Sequence, residues 1–151
     1  MARMIPEILP DGVTSKAEQK LFNLLRDKLD KTFVVFYSFE LLTRDWEDRF
    51  IEGEIDFLIF VPERGFLVLE VKGGAIAYEG GRGQWLQNGR AMKRSPFTQA
   101  RDAAHQLERW LISKIPDLPR VTIGHAVCFP DIQHPISALP SGTAREICIT
   151  G

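Results

Sequence analysis

Two apolar runs, EIDFLIFV (54–61) and FLVLEVK (66–72), stand four residues apart and carry charges where buried strands should carry none. Their β-branched and aromatic content reads as two strands. Pro62-Glu63-Arg64-Gly65 between them reads as a hairpin turn: a three-residue loop, 63–65, with Gly65 left-handed, gives a type I turn and a G1 bulge. Alternation places Glu54, Asp56, Leu58 and Phe60 on one face of the first strand, and Phe66, Val68, Glu70 and Lys72 on one face of the second. With that loop Pro62 opposes Phe66, Leu58 faces Glu70, and Asp56 faces Lys72. A two- or four-residue loop would send Asp56 to the opposite face from the other two. The hairpin therefore gathers Asp56, Glu70 and Lys72 on one side.

Unpaired charge is costly to bury, so charges inside such strands are usually paired, metal-bound or catalytic. Two carboxylates beside a lysine suit phosphodiester hydrolysis. The carboxylates can bind Mg²⁺ or Mn²⁺, and the lysine can orient water or offset developing charge. The competing reading is a cross-strand Asp56–Lys72 salt bridge with Glu70 paired elsewhere.

Around this hairpin the chain reads as one α/β domain with a mixed sheet and flanking helices. Residues 1–13 are punctuated by Pro and Gly and read as extended surface chain. A helix follows Ser15 to about Asp30, its apolar side built by Leu21, Leu24, Leu25 and Leu29. Thr32–Leu42 reads as a strand, and Thr43–Gly53 as polar and irregular. Gln84–Gln87 and Arg90–Lys93 flank Asn88-Gly89, a type I′ hairpin signal. Ser95-Pro96 opens a second helix to about Lys114, with Ser95 as its cap. Residues 121–129 and 145–150 read as further strands. The end of the chain directly after a strand pattern suggests a fragment of a longer protein.

Glu18 shares the inward side of the first helix with Leu21, Phe22, Leu25 and Leu29. It could approach the hairpin charges as a further acid, or serve with Ser15 as a capping box; both roles are geometrically compatible. Gln99 and Arg101 occupy the first turns of the second helix, where an amide and a guanidinium can reach phosphate, or can simply be solvated. Trp46 and Trp85 could stack on bases, but core or hairpin-anchoring roles are preferred. His105, His125 and His134 show no ligand spacing and read as structural. Cys128 and Cys148 have neither CxxC nor CxxH spacing; they read as small buried hydrophobes without a disulfide.

The net charge of −1 hides an asymmetry. Residues 1–75 hold 10 Lys and Arg against 14 Asp and Glu, a balance of −4, and residues 76–151 hold 9 against 6, a balance of +3. No acid lies between Gly80 and Arg101, where Arg82, Arg90, Lys93, Arg94 and Arg101 make a basic stretch able to hold a polyanion. A solvated loop would have the same composition. No apolar run approaches the roughly 20 residues of a membrane helix. The N-terminus lacks a signal-peptide layout, so a cytoplasmic location is expected. Neither a Ser elbow nor a G-x-x-x-x-G-K-[ST] phosphate loop occurs.

GEIDFLIF (53–60), LEVKGG (69–74) and SPFTQA (95–100), in that order, resemble the nuclease-related domain, NERD, a branch of the PD-(D/E)XK nuclease-like superfamily. The resemblance runs from about Ala17 to Leu111. It implies a restriction-endonuclease-like mixed β-sheet flanked by α-helices, and a Mg²⁺- or Mn²⁺-dependent deoxyribonuclease. Asp56 and Glu70 would be metal ligands, Lys72 the charge- and water-positioning residue, Glu18 the helix-borne acid and Gln99 the helix glutamine. It also implies DNA as partner and a helicase module beyond Gly151. Ile55 stands where the superfamily's name places proline. The alternative is a non-catalytic DNA-binding module that guides an attached helicase.

Overall fold

The structure, a computed structural model, describes residues 1–133, 136, 139–141 and 143–151; the reading of His134 as structural lies outside them. Its frame is a six-stranded mixed sheet in the order β1-β2-β3-β4-β8-β9. These strands are β1 (Arg3–Ile5), β2 (Val34–Arg44), β3 (Phe50–Val61), β4 (Gly65–Val71), β8 (Ile123–Phe129) and β9 (Cys148–Thr150). β2, β3 and β4 form an antiparallel meander, while β1, β8 and β9 join in parallel. A separate antiparallel sheet holds β5 (Ile76–Glu79), β6 (Gln84–Gln87) and β7 (Arg90–Ala91).

Helices α1 (Lys16–Lys28) and α2 (Pro96–Lys114) cover opposite faces of the large sheet. Ala17, Leu21 and Phe22 of α1 pack on Val35, Tyr37, Phe57, Ile59, Leu69 and Val71. Ala104, Leu107 and Leu111 of α2 pack on Leu41, Ile55, Leu58 and Val68. A third cluster joins the small sheet to the large one through Trp85, Phe97, Ala100, Val127 and Phe129. The expected α/β architecture, with a mixed sheet flanked by helices, is the observed one, and it is consistent with a restriction-endonuclease-like nuclease.

Several local expectations need correction. Residues 1–13 are not all surface chain, because Arg3–Ile5 pairs with β2 and buries Ala2 and Met4. The polar stretch 43–53 is not irregular: β2 and β3 stay paired out to Arg44↔Phe50 around a turn at 45–49. Charged residues sit there because this end of the ribbon projects into solvent, where the pattern of a half-buried strand is not required. Trp46 anchors nothing; it is 88% exposed at that turn. β5 was hidden by the glycines that flank it. Ser95 stands at the cap position of α2, but its side chain makes no cap hydrogen bond.

The hairpin register also differs from expectation. Val61 opposes Gly65 and Leu58 opposes Val68, so the loop is 62–64 and every pair is shifted by two. The turn closes with the Arg64 N–H donating to Val61 O, with Pro62 second and Glu63 third at φ 60°. Pro then positive φ is the type II pattern, not type I plus G1 bulge. The loop length stays odd, so the relative face of the charges is preserved. Extending the ladder puts Asp56 opposite Glu70 rather than Lys72.

Candidate active site

Strict alternation fails in β3 at the residue that matters most. Ile55 and Leu58 both pack towards α2, whereas Phe57 and Ile59 pack towards α1. The same switch occurs on β2, where Tyr37 faces α1 but Phe39 lies on the α2 side. Between them Ser38 has φ 52°, a left-handed conformation that non-glycine residues rarely adopt. The β2–β3 ladder runs from Tyr37↔Phe57 to Phe39↔Ile55 and skips the Ser38–Asp56 step. The ribbon therefore turns over at Asp56, much as at a bulge. Glu54, beyond the switch, is exposed and accepts a hydrogen bond from Ser38 Oγ at 2.7 Å.

The Asp56 carboxylate points to the adjacent strand and accepts the Val71 N–H at 2.8 Å. Glu70 is 8% exposed, and Lys72 Nζ lies 2.7 Å from Glu70 Oε1. Burial, reinforced by the negative charge of Glu70, pushes the Asp56 carboxyl up to about 7, against the opposing pull of the Val71 N–H and of Lys72. Glu18 adds a further push in the same direction. The ion pair is thus Glu70–Lys72 along one strand, not the cross-strand Asp56–Lys72 bridge considered from the sequence.

Glu18 is engaged through both its backbone and its side chain. Its backbone N–H donates to Ser15 Oγ at 3.3 Å, but its carboxylate accepts the Tyr37 hydroxyl at 2.6 Å. Tyr37 is buried, and burial first, then the Glu18 carboxylate, raises its pKa well above the usual phenol value. Tyr37 thus links α1 to the strand carrying the ribbon switch. Sequence reading passed over it because one tyrosine in an aromatic strand looks like core.

The segment after Lys72 is held on three sides. Gln87 Nε2 donates to Gly73 O at 2.9 Å, the Gly74 N–H donates to Asp131 Oδ2 at 2.8 Å, and the Ala75 N–H donates to Asn88 Oδ1 at 2.9 Å. A Cβ on Gly73 would stand 2.6 Å from the Ala17 side chain, so the glycine lets the β4 end pass close under α1. Gln87 and Asn88 reach it from the small sheet and Asp131 from 57 residues away in the chain, and no spacing rule could have joined them.

Gln99 and Lys72 line one open cleft of about 340 Å³ with Gln87, Met92, Lys93 and Arg94. The Gln99 amide donates to Arg94 O at 3.2 Å. The cations of the basic stretch differ in their partners. Arg94 and Arg101 both pair with Asp102, and Arg82 approaches Glu79 at 3.9 Å. Lys93 and Arg90 have no ion-pair partner among the described residues. Arg101 borders a different cavity, which Lys72 does not line.

Cys128 is buried and Cys148 half-buried, both free, as expected. Burial pushes the Cys128 thiol up to about 11. Trp85 is buried in the core, also as expected. Among the described residues no helix is long and apolar enough to cross a membrane.

The family model for the nuclease-related domain matches residues 14–130. The chain belongs to the NERD family. NERD is part of the PD-(D/E)XK-like nuclease superfamily. The match extends past the Ala17–Leu111 resemblance to take in β8, the strand that supports β4 in parallel. Among curated proteins and among solved structures there is no match to the chain. The nuclease-related character of this NERD domain follows from its family.

Proposed function

We propose that this NERD domain hydrolyses DNA phosphodiester bonds with Mg²⁺ or Mn²⁺ at Asp56, Glu70 and Lys72. The observation that carries the reading is the nearly buried Glu70–Lys72 pair beside Asp56, whose carboxyl holds a proton up to about 7. Two carboxylates brought together by strand pairing are hard-oxygen donors of the kind these cations prefer. A carboxyl that resists ionisation in isolation gains most from a cation that offsets the repulsion from Glu70. Among the described residues no cluster of three His, Cys, Asp or Glu side chains forms a ready metal site. Asp56 and Glu70 would hold the ion, with the remaining positions left to water and phosphate.

The bound ion would supply Lewis-acid polarisation of the phosphate and a hydroxide from its own water. Lys72 places a positive charge at the mouth of the pair, where it can offset charge developing on the phosphate oxygens. Lys93 and the Gln99 amide, in the same cleft, can hold the phosphate backbone against Lys72. Glu18 keeps its carboxylate oriented through Tyr37 and contributes to the negative field at Asp56. Attachment to a helicase module and a cytoplasmic setting are part of the same proposal, and rest on what the family resemblance implies.

A second reading, a DNA-binding module that guides a helicase without cutting, is favoured by one observation. Glu70 already has a partner in Lys72, which could make the pair structural. Calorimetric titration of Mn²⁺ into wild type and Asp56→Ala, with plasmid nicking on the same samples, separates the two. Binding lost with Asp56 together with nicking by wild type supports the nuclease. No Mn²⁺ binding by wild type overturns it.

A further inference from the structure

On the other side of the α2 N-terminus lies a second cavity, of about 360 Å³. It is walled by Tyr78 of β5, Trp85 of β6, Phe97, Thr98 and Arg101 of α2, and His125 of β8. No acidic side chain lines it among the described residues. Its floor is aromatic: the Tyr78 and Trp85 rings are 5.2 Å apart and those of Trp85 and Phe97 are 5.4 Å apart.

Trp85 is 3% exposed, and its buried indole Nε1 has no hydrogen-bond partner among the described residues. A buried N–H is normally paired, so an orphan in a cavity wall calls for an acceptor. Above the floor stand the Thr98 hydroxyl, the Arg101 guanidinium and His125. Burial first, then the neighbouring His105 and Arg101, lowers the pKa of His125. The lining thus offers the partly exposed Tyr78 ring for stacking, the Thr98 hydroxyl and the His125 ring as hydrogen-bonding groups, and the Arg101 guanidinium as one cation. Those are the needs of a nucleobase and its phosphate.

The cavity adjoins the candidate active site. Thr98 borders the cavity while Gln99, the next residue, borders the Lys72 cleft. On β6 the corresponding residues are Trp85 and Gln87, roughly 7 Å apart along the strand. A strand whose phosphate rests in the cleft has its neighbouring nucleotide at the cavity mouth. A base stacked inside a duplex cannot enter a walled recess, so it must leave the stack first.

We propose that this cavity receives one unpaired nucleobase of the DNA strand lying against Lys72 and Lys93. Its substrate class is therefore DNA with a single-stranded or frayed nucleotide beside the scissile bond. This rests on the nuclease reading above and gives that site its substrate class.

The test uses metal-free protein, so cleavage does not intervene. Fluorescence anisotropy compares a labelled oligothymidylate with a blunt duplex of equal length, for wild type and the cavity-filling Thr98→Phe. Wild type should prefer the single strand roughly tenfold, the scale of one base–aromatic stack. Thr98→Phe should remove that preference and leave duplex affinity unchanged. In case Thr98→Phe folds poorly, the second measurement needs no cavity variant. Titration of dTMP should shift the indole N–H resonance of Trp85, assigned through Trp85→Phe, and inorganic phosphate should not. Equal affinity for both DNAs, or an indole resonance unmoved by dTMP, overturns the base pocket and leaves the nuclease reading standing. Failure to bind either DNA at low salt overturns the nuclease reading, and the pocket with it.

Discussion

Lys72 Nζ sits 2.7 Å from Glu70 Oε1, so two charges on the same strand end neutralise each other beside Asp56. The pair is largely shielded, with side chains 22% and 10% exposed. Removing one member of a shielded pair strands the other, which costs more than the pair itself contributes. Lys72→Ala should therefore lower stability by about 2–4 kcal/mol, and should impair turnover more than DNA affinity. Lys72→Met combined with Glu70→Gln should recover stability but no activity. Urea unfolding checks the first pair of claims, and kcat against binding affinity the second. An equal loss of turnover and affinity in Lys72→Ala would reduce the lysine to a phosphate contact.

Asp56 makes the metal-free domain sensitive to pH. Its folded pKa, about 7, lies above the ordinary carboxyl value of 3.8, so the folded state holds the proton more tightly than the unfolded state. The resulting stability is fully present below pH 3.8 and is lost as pH rises through about 7. At about 1.4 kcal/mol per pKa unit, the loss is on the order of 4 kcal/mol at most. Asp56→Asn keeps an acceptor for the Val71 N–H without the charge. In EDTA its melting temperature should exceed that of wild type at pH 8, and the two should converge near pH 4. Mn²⁺ should raise the wild-type melting temperature and leave Asp56→Asn unchanged. A wild-type minus variant difference that does not vary with pH would refute the assignment.

Gly65 has φ 121°, and a Cβ there would stand 2.0 Å from Thr122 O, which accepts the Phe66 N–H at 2.9 Å. Gly65→Ala should cost about 2–3 kcal/mol through backbone strain and displacement of the segment entering β8. Denaturant unfolding gives the number. Because Gly65 is at the far end of β4 from Lys72, metal affinity of the folded fraction should be unaffected.

Charge on the DNA side should divide according to ion pairing. Replacing Arg90 and Lys93 together with alanine should weaken DNA binding across all sequences and lower the salt slope by about 2. Arg82→Ala, which removes a charge already near Glu79 and outside the Lys72 cleft, should change little. Affinity measured over a salt series decides between them. Equal effects from both sets would mean that the small sheet, not the cleft, carries the contact.

Fold class and candidate site were legible to different depths. Asp56, Glu70 and Lys72 could be grouped because an odd hairpin loop preserves facing, whatever its register. The register was off by two because Pro62-Glu63-Arg64-Gly65 accommodates two turns, and the one formed places Glu63, not only Gly65, at positive φ. The extended β2–β3 ribbon was unreadable because its tip is solvated and so carries no apolar alternation. The role of Glu18 was left open between cap and inward acid; in the structure its N–H donates to Ser15 Oγ and its carboxylate accepts from the Tyr37 hydroxyl.

Residue type and local period were enough to say that a charged hairpin lies between two helices of an α/β domain. Hairpin pairing and apolar periodicity are short-range properties, written in neighbouring residues. Only the folded chain could decide that the ribbon turns over at Ser38 and Asp56. The same is true of Tyr37 reaching Glu18, Asp102 pairing with both Arg94 and Arg101, and Asp131 and Asn88 holding Gly74 and Ala75 after Lys72. Most of these contacts join distant segments, and all depend on side-chain direction and burial, which become defined only when the sheets and helices have packed.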